Sequence, residues 1–116
     1  MRTCATLILL ISLSACASHT RLNEGSSKIR PGMTSAELQE AMGPPQNRQF
    51  RESQEAWQWC STGLMESDSY VLAWLTKGVV TGMQTYRNSR TGPCDSFFRT
   101  ANWQEAPDAT IELRHR

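Results

Sequence analysis

One short segment in the N-terminal half of the chain carries sharp signals for both ends of a helix. Thr34 and Glu37 have the spacing of a capping box, in which each side chain accepts a hydrogen bond from the backbone N–H of the other residue. Gly43 is suited to end a helix in the left-handed region, and the two prolines that follow cannot continue one. The sequence therefore predicts a single short helix over residues 35 to 42.

Beyond a polar loop, the chain changes to the period of two that is typical of β-strands. Trp57 and Trp59 would share one face of a strand. Tyr70 to Leu75 is a near-continuous apolar run, and a tight turn at Lys77-Gly78 would connect it to a second strand over Val79 to Arg87. A helix this short is not stable alone, so we expect an α+β domain in which it packs on an antiparallel sheet.

The first 15 residues have the features of a secretory signal peptide. Arg2 supplies a positive charge, residues 5 to 13 are almost wholly apolar, and small residues lead to Cys16. The apolar run is far shorter than the ~20 residues of a membrane-spanning helix. Residues 13 to 16 resemble the lipobox of bacterial lipoproteins, whose cysteine is acylated (palmitate is one such chain) and becomes the first mature residue. An ordinary signal peptide cleaved near a cysteine is the alternative interpretation.

The residues after Cys16 suggest where such a lipoprotein would reside. Lipoproteins with Asp after the cysteine tend to stay in the inner membrane, and here Ala17 follows it. The lipobox resemblance therefore implies a lipid anchor in the outer membrane, with the polypeptide on the periplasmic face. Residues 16 to 29 are polar and rich in small side chains, so they are expected to form the lipidated N-terminus and a flexible tether.

The charge balance argues against several classes of partner. The chain has 12 Lys and Arg against 11 Asp and Glu, and it contains no basic cluster. Binding to nucleic acid requires local positive charge, so nucleic acid is not an expected partner. Electrostatic attachment to anionic lipid is disfavoured for the same reason.

Two cysteines remain once the signal peptide and the lipid site are set aside. Cys4 would be lost with the signal peptide, and Cys60 and Cys94 would meet an oxidising periplasm, where paired thiols form disulfides. Two free thiols or a metal pair are the alternatives. Two cysteines are too few for a structural zinc site, and neither His19 nor His115 has ligand spacing to them.

A Cys60–Cys94 disulfide would also determine the path of the C-terminal segment. Bridged cysteines have Cα atoms within about 7 Å of each other, so Cys94 would return to the side of the first strand. We therefore expect residues 94 to 116 to fold onto the domain. Phe97, Phe98 and Trp103 would then be docked, and Thr110 to Arg114 would form an edge strand.

The run from Ile29 to Thr34, followed by Glu37, Leu38 and the segment from Met42 to Pro45, resembles the SmpA/OmlA-type (BamE-like) lipoprotein domain of the β-barrel assembly machine. The resemblance covers residues 28 to 87 and implies helices packed on a three-stranded antiparallel sheet, as also seen in β-lactamase-inhibitor-like (BLIP-like) proteins. We expect a single domain over residues 30 to 116, with one or two helices, three or four strands and an added segment from about residue 94. The resemblance also implies partner contact at an exposed loop formed by Pro31, Gly32, Met33 and Thr34.

Catalytic and cofactor sites are not expected. His19 lies in the predicted tether and His115 lies near the C-terminus, so neither is held as acid–base catalysis requires. Glu66 and Asp68 lie in a polar connection, where solvated turn residues are common. Ser61 lacks the setting of an elbow nucleophile. We therefore expect no enzyme, cofactor or metal.

These observations favour a non-catalytic lipoprotein whose periplasmic domain binds protein. By resemblance it would support outer-membrane protein assembly or envelope integrity. One alternative is a BLIP-like periplasmic inhibitor or ligand-binding module that uses the sheet face. Another is a glycan-associated or cell-wall-associated anchor built on exposed tryptophans, although Trp57, Trp59 and Trp74 are better explained as core residues of strands.

Overall fold

The structure, a computed structural model, describes residues 17–63 and 67–107. Its strands form one antiparallel sheet in the order β1-β2-β3-β4, with helices on one side, which confirms the α+β fold class. The predicted signal peptide, Cys16 and the predicted edge strand over Thr110 to Arg114 lie outside the described residues. The elements are α1 (Ala17–Ser26), α2 (Ser35–Met42), β1 (Asn47–Arg51), β2 (Gln54–Ser61), β3 (Asp68–Thr76), β4 (Val79–Asn88) and two short 3₁₀ turns, Cys94–Ser96 and Trp103–Glu105.

The helix predicted over residues 35 to 42 is confirmed as α2. Glu37 donates its backbone N–H to the Thr34 Oγ1 at 3.1 Å, and the Thr34 N–H is donated to Glu37 Oε1 at 3.2 Å. These two bonds satisfy amides that the first turn would otherwise leave unpaired. Gly43 ends the helix with φ at 81° and donates its N–H to the carbonyl of Gln39.

Residues 17 to 26 of the segment expected to be a flexible tether instead form the helix α1, so that prediction was wrong for these residues. Leu22 and Ile29 are buried in the same core as Leu38 of α2. A Cβ on Gly25 would lie 2.7 Å from both the Ala41 carbonyl oxygen and Met42 Sδ, so the glycine allows close approach of the helices. The helix is ordered by its packing against the core, and the polar composition of the segment gives no sign of that packing.

The strand β1 was not anticipated, because its sequence has a single apolar residue. Phe50 lies among asparagine, glutamine and two arginines, which gives no alternation of apolar and polar residues. A two-residue turn at Glu52 and Ser53 connects β1 to β2, and the register pairs Arg51 with Gln54. Hydrogen bonding to β2 therefore creates a strand that hydrophobicity alone does not predict.

The hairpin of β3 and β4 is confirmed together with its turn. Lys77 and Gly78 have φ values of 51° and 75°, and positive φ at both central residues is the geometry of a type I′ turn. The register shifts beyond it, because Leu75 pairs with Val80 whereas Trp74 pairs with Gly82. The strand β4 therefore carries a bulge beside Gly82.

The sheet is covered on both faces. The helix face packs against α1 and α2, and buries Trp57, Trp59, Val71, Ala73, Leu75 and Val80. The opposite face packs against residues 94–107, which we name the strap, and the cluster there contains Ala56, Leu72, Trp74 and Ala101. Three of the four tryptophans are thus buried in the strands, as the core interpretation predicted.

The disulfide between Cys60 of β2 and Cys94 is confirmed, with Cα atoms 6.0 Å apart. It fixes the beginning of the strap beside the sheet. Phe97, Phe98 and Trp103 are half-buried, so the C-terminal segment is docked as expected over the residues that the structure describes. In the chain-entropy model, closing a loop of this length stabilises the fold by about 4 kcal/mol.

Candidate functional site

The loop predicted to contact a partner lies along the beginning of β4. Pro31, Gly32 and Thr34 are exposed, whereas Met33 is half-buried and packs on the helix-side core. Gly32 donates its N–H to the carbonyl of Val80 at 2.8 Å, and Val80 donates its N–H to the carbonyl of Met33 at 2.8 Å. The loop therefore pairs with this part of the β4 edge, and only its outer surface is available to a partner.

The other edge of the sheet, β1, presents the most exposed large apolar side chain of the described residues. Phe50 is 63 % exposed, whereas Val79 and Met83, the next in order, are close to 40 %. Within the described ranges, β2 is the one strand paired with β1. The outer side of β1 therefore combines an open strand edge with an exposed aromatic ring, and strand edges of this kind can pair with another chain.

Arg48 contacts an acidic side chain and two aromatic rings at this edge. Its Nη2 lies 2.7 Å from Glu55 Oε1 in an ion pair. The guanidinium carbon lies 5.0 Å from the centroid of the Phe50 ring and 4.9 Å from that of Trp57, distances at which cation–π attraction operates. The exposed phenylalanine is thus held beside a fixed cation. We name Arg48, Phe50 and Glu55 the β1 patch.

Glu55 is the acceptor at the centre of the β1 patch. Its Oε1 also accepts a hydrogen bond from the Trp57 indole N–H at 2.9 Å. Burial raises the pKa of Glu55, but the hydrogen bonds from Arg48 and Trp57, together with the charge of Arg48, outweigh it, so the pKa lies below its ordinary value of 4.5. The carboxylate is therefore ionised at neutral pH and keeps Arg48 in place.

On the other face of the sheet, two glutamines hold the main chain of the strap. Gln58 is fully buried and donates from Nε2 to the carbonyl of Arg99 at 2.8 Å. Gln49 donates from Nε2 to the same carbonyl at 3.0 Å, and its Oε1 accepts the N–H of Ala101 at 2.8 Å. These bonds satisfy buried polar groups that would otherwise destabilise the sheet.

Tyr86 extends this polar network toward β4. Its hydroxyl donates to Gln58 Oε1 and accepts the backbone N–H of Arg99 at 3.1 Å. The Arg99 guanidinium lies 4.2 Å from the centroid of the Tyr86 ring. Burial raises the pKa of Tyr86 above its ordinary value, although the interactions with Arg99 oppose that shift, so the phenol remains a neutral donor at physiological pH.

Aromatic contacts fix both ends of the strap. The Tyr70 hydroxyl donates to the carbonyl of Cys94 at 2.9 Å, and its ring meets Phe98 edge-on with centroids 5.7 Å apart. Toward the other end, Trp103 meets Trp74 edge-on with centroids 5.6 Å apart. Edge-to-face pairs of this kind add about 0.5–1.5 kcal/mol beyond the area that they bury.

Of the other residues considered from sequence, Asp68 lies within the part of the chain that the structure describes. Asp68, expected to be a solvated turn residue, is buried at the start of β3, where its Oδ1 accepts the N–H of Gly63 at 2.9 Å. Glu66 and His115 lie outside the described residues. In the part of the chain that the structure describes, no group of three or more His, Cys, Asp or Glu side chains is placed to hold a metal ion. No helix among residues 17–63 and 67–107 is long and apolar enough to cross a membrane.

The β1 patch was missed by the sequence analysis. Its signal is weak: one phenylalanine between two arginines, in a run that follows two prolines and lacks any other apolar residue. An isolated aromatic residue in a polar strand cannot be assigned to core or surface until the neighbouring strand is known. Pairing of Phe50 with Glu55 of β2 places it at the sheet margin.

Comparison with known proteins assigns no family to this chain. No protein-family model matches the sequence, and no curated protein matches it significantly. The resemblance of residues 28 to 87 to the SmpA/OmlA-type domain therefore stays a prediction.

Proposed function

We propose that this chain is a non-catalytic lipoprotein, anchored through Cys16 in the outer membrane, whose periplasmic domain binds another protein of the cell envelope. The apolar N-terminal run that ends in a cysteine supports export and lipid anchoring. The Cys60–Cys94 disulfide supports the same compartment, because disulfides form and persist where the surroundings are oxidising. The SmpA/OmlA resemblance favours a role in outer-membrane protein assembly or envelope integrity.

The exposure of Phe50 on an open strand edge is the observation that carries the proposal. Both faces of the sheet are already covered, one by the helices and one by the strap. The edge of β1 carries the most exposed large apolar side chain of the described residues, and this ring is held beside Arg48. Aromatic residues and arginine are enriched at the energetic centres of protein interfaces, and a free edge can accept a strand of a partner.

The position of α1 supports a partner near the membrane. Helix α1 includes Ala17, the residue after Cys16, and Leu22, five residues further on, is buried in the core. Five helical residues span about 8 Å, so the domain would lie close to the lipids instead of at the end of a tether. A partner at the membrane surface fits this arrangement better than a soluble one.

Each alternative function has less support. A BLIP-like inhibitor that used the sheet face would meet the strap there. A glycan anchor built on tryptophans would need exposed indoles, but Trp57, Trp59 and Trp74 are each less than 5 % exposed.

Substitution of the predicted lipid site tests the anchor. The variant Cys16→Ser should accumulate unprocessed or leave the membrane fraction, because the thioether to lipid can no longer form. Normal processing with continued membrane attachment would contradict the lipoprotein proposal. The variant Cys4→Ser is the matched control, since that residue lies in the predicted signal peptide, and it should behave like the parent.

Site-specific photo-crosslinking in intact cells tests the partner surface. A photoreactive residue at Phe50 should give a discrete crosslinked species, and mass spectrometry would show whether the partner belongs to the assembly machinery. Gln39, exposed on α2, provides the control position. A probe at Pro31 tests the predicted loop separately. The β1 proposal fails if position 50 gives no more product than position 39. The location of the partner at the membrane is contradicted if the product persists unchanged when Cys16→Ser releases the protein.

A further inference from the structure

The hydrogen bonds around β2 show which of its main-chain groups face β1. The Gln58 carbonyl accepts the N–H of Gln46 at 3.0 Å, and the Cys60 N–H is donated to Gln46 Oε1 at 2.7 Å. On the side of β3, the carbonyl of Ser53, the residue before β2, accepts the N–H of Lys77 at 2.9 Å. Even-numbered residues of β2 therefore direct their main-chain groups toward β1, and odd-numbered residues direct theirs toward β3.

Arg48 and Phe50 direct their main-chain groups to the outer side of β1. The register pairs even-numbered residues of β2 with odd-numbered residues of β1, as in Ala56 with Gln49. Hydrogen-bonded and non-hydrogen-bonded pairs alternate along an antiparallel ladder, so the N–H and carbonyl groups of Arg48 and Phe50 are directed away from β2. Outside the strand ladder, the main chain of neither residue bonds to another of the described residues. This edge therefore offers each residue's donor and acceptor to a further strand.

The side chains of the same two residues lie on the helix side of the sheet. Arg48 pairs with Trp57, which belongs to the helix-side core, and Phe50 shares that face because it lies two positions further along β1. Gln49 faces the opposite way and bonds to the strap. A strand added to this edge would therefore meet both the main chain and the side chains of Arg48 and Phe50.

The two side chains call for different chemistry in an added strand. Phe50 is 63 % exposed, and an apolar residue opposite it would cover the ring. The Arg48 side chain is 46 % exposed and has one ion pair among the described residues, from Nη2 to Glu55. A guanidinium has five N–H donors, so donors remain for a carboxylate opposite Arg48. Because Glu55 already holds the guanidinium, binding costs little of its conformational freedom.

The other edge of the sheet already holds an extended segment in a similar way. Val80 of β4 donates its N–H to the carbonyl of Met33 and accepts the N–H of Gly32, each at 2.8 Å. Thr34 and Val79 form an antiparallel bridge next to these bonds. Among the described residues, β1 pairs with β2 alone, so its outer side has no equivalent segment.

We infer that an extended segment of the partner protein adds to β1 as an antiparallel fifth strand of the sheet, with an apolar residue opposite Phe50 and an acidic residue opposite Arg48. In an antiparallel strand these two residues are two positions apart, and the apolar residue comes first. Parallel pairing is slightly less stable for each residue, which favours the antiparallel direction. The inference rests on the proposed use of the β1 patch and names the chemistry of its occupant.

A labelled synthetic peptide tests the inference on the full chain. The peptide alternates threonine and valine around a central phenylalanine, with glutamate two positions later. We expect saturable binding that Phe50→Ala weakens at least about tenfold, because exposed aromatic residues dominate interfaces of this kind. Phe50 is exposed, so the variant should fold, as a urea titration would check. Met83→Ala, at the opposite edge, is the matched control and should bind like the parent. Equal binding to Phe50→Ala and the parent would overturn the inference.

Methylation of the peptide's main chain tests strand pairing directly. N-methyl groups on its phenylalanine and glutamate remove the donors that face β1 and should abolish binding. An N-methyl group on the residue between them faces away from β1 and should leave binding unchanged. Loss of binding with both peptides, or with neither, would contradict a paired strand.

A double-mutant cycle tests the acidic position. Arg48→Gln should weaken the peptide, and so should a peptide with glutamine in place of glutamate. The two changes together should cost no more than either alone, because they remove the same ion pair. Additive losses would overturn the assignment of an acidic residue opposite Arg48.

Amide hydrogen exchange gives an independent outcome on the unmodified protein. The amides of Arg48 and Phe50 should exchange rapidly in the free protein, whereas that of Gln49, which pairs with β2, should exchange slowly. Saturating peptide should slow the first two and leave Gln49 unchanged. Unaltered exchange of Arg48 and Phe50 would overturn strand addition. A discrete crosslink from Phe50 in cells would then still support the partner surface, whereas peptide binding without any such crosslink would count against the proposed function alone.

Discussion

Pro107 lies against Gly82 so closely that a Cβ on residue 82 would come within 2.7 Å of the proline Cγ. The glycine follows the bulge in β4, on the face that the strap covers. Because residue 82 has no side chain, the last described residue of the strap can rest directly on the sheet. The glycine therefore has a packing role, since a glycine within a strand often marks a bulge or a close approach of another segment.

The variant Gly82→Ala should loosen the end of the strap. A proline ring cannot move aside as a flexible side chain can, so we expect a cost of about 1–3 kcal/mol in the free energy of unfolding. Trypsin should then cleave faster after Arg99 under native conditions. Thr85→Ala, at an exposed position of the same strand, is the control and should change stability by less than about 0.5 kcal/mol. Identical cleavage rates for Gly82→Ala and the parent would contradict the contact.

The variant Gly25→Ala distinguishes a packed helix from a flexible tether. Alanine favours a helix over glycine by about 1 kcal/mol, so in an isolated helix or a tether the change would be neutral or stabilising. Here the new methyl group would meet the Ala41 carbonyl oxygen and Met42 Sδ, and we expect net destabilisation of about 1–2 kcal/mol in urea denaturation. Glu24→Ala, next to it and exposed, is the matched control. A stabilised Gly25→Ala protein would mean that α1 does not pack on α2.

The variant Thr34→Ala should remove half of the capping box. The Glu37 N–H would lose its acceptor, which should lower the free energy of unfolding by roughly 1 kcal/mol in a urea titration. Thr34→Ser keeps the hydroxyl and should recover most of the loss. Gln39→Ala, exposed later in the same helix, should be close to neutral. Equal midpoints for Thr34→Ala and Thr34→Ser would show that the cap contributes nothing.

Stability should depend on pH through Glu55. Its pKa in the folded protein is lowered, so the folded state binds fewer protons than the unfolded chain as the pH falls through 4.5. The stabilisation is present above 4.5 and is lost as the pH falls through the folded pKa. The variant Glu55→Gln should lose roughly 0.2–1 kcal/mol at neutral pH and little in strong acid, as measured by denaturant unfolding. A loss of the same size at both pH values would assign the effect to packing.

Local chemistry was enough to predict α2, the β3–β4 hairpin and its turn. The bonds of the capping box join residues three apart, and the conformation of Lys77-Gly78 depends on those residues and their neighbours. The partner of Cys60 could also be predicted, because setting aside the predicted lipid site and the predicted signal peptide left a single candidate, Cys94.

Helix α1 and strand β1 could not be predicted in this way. Leu22 is apolar in a polar segment, and its burial depends on core residues such as Leu38 that lie many positions away. The strand around Phe50 is defined by backbone bonds to β2. A window of a few residues shows neither the burial of Leu22 nor the pairing of β1 with β2, because both arise from contacts between separate elements.

The amino-acid sequence by itself determined the fold class, the short capped helix, the hairpin and the disulfide, since each depends on local conformation or on a count of cysteines. Only the tertiary structure decided what is left exposed. Phe50 remains at an open edge. Its partner in β2 is Glu55, and Trp57, two residues further along β2, is buried under the helices. Gln49 and Gln58 likewise become a binding pair only when adjacent strands place both carboxamides on one face, where the strap meets them. Which side chains stay exposed, and which side chains come together, depends on how the strands and helices pack. Local sequence patterns do not specify either.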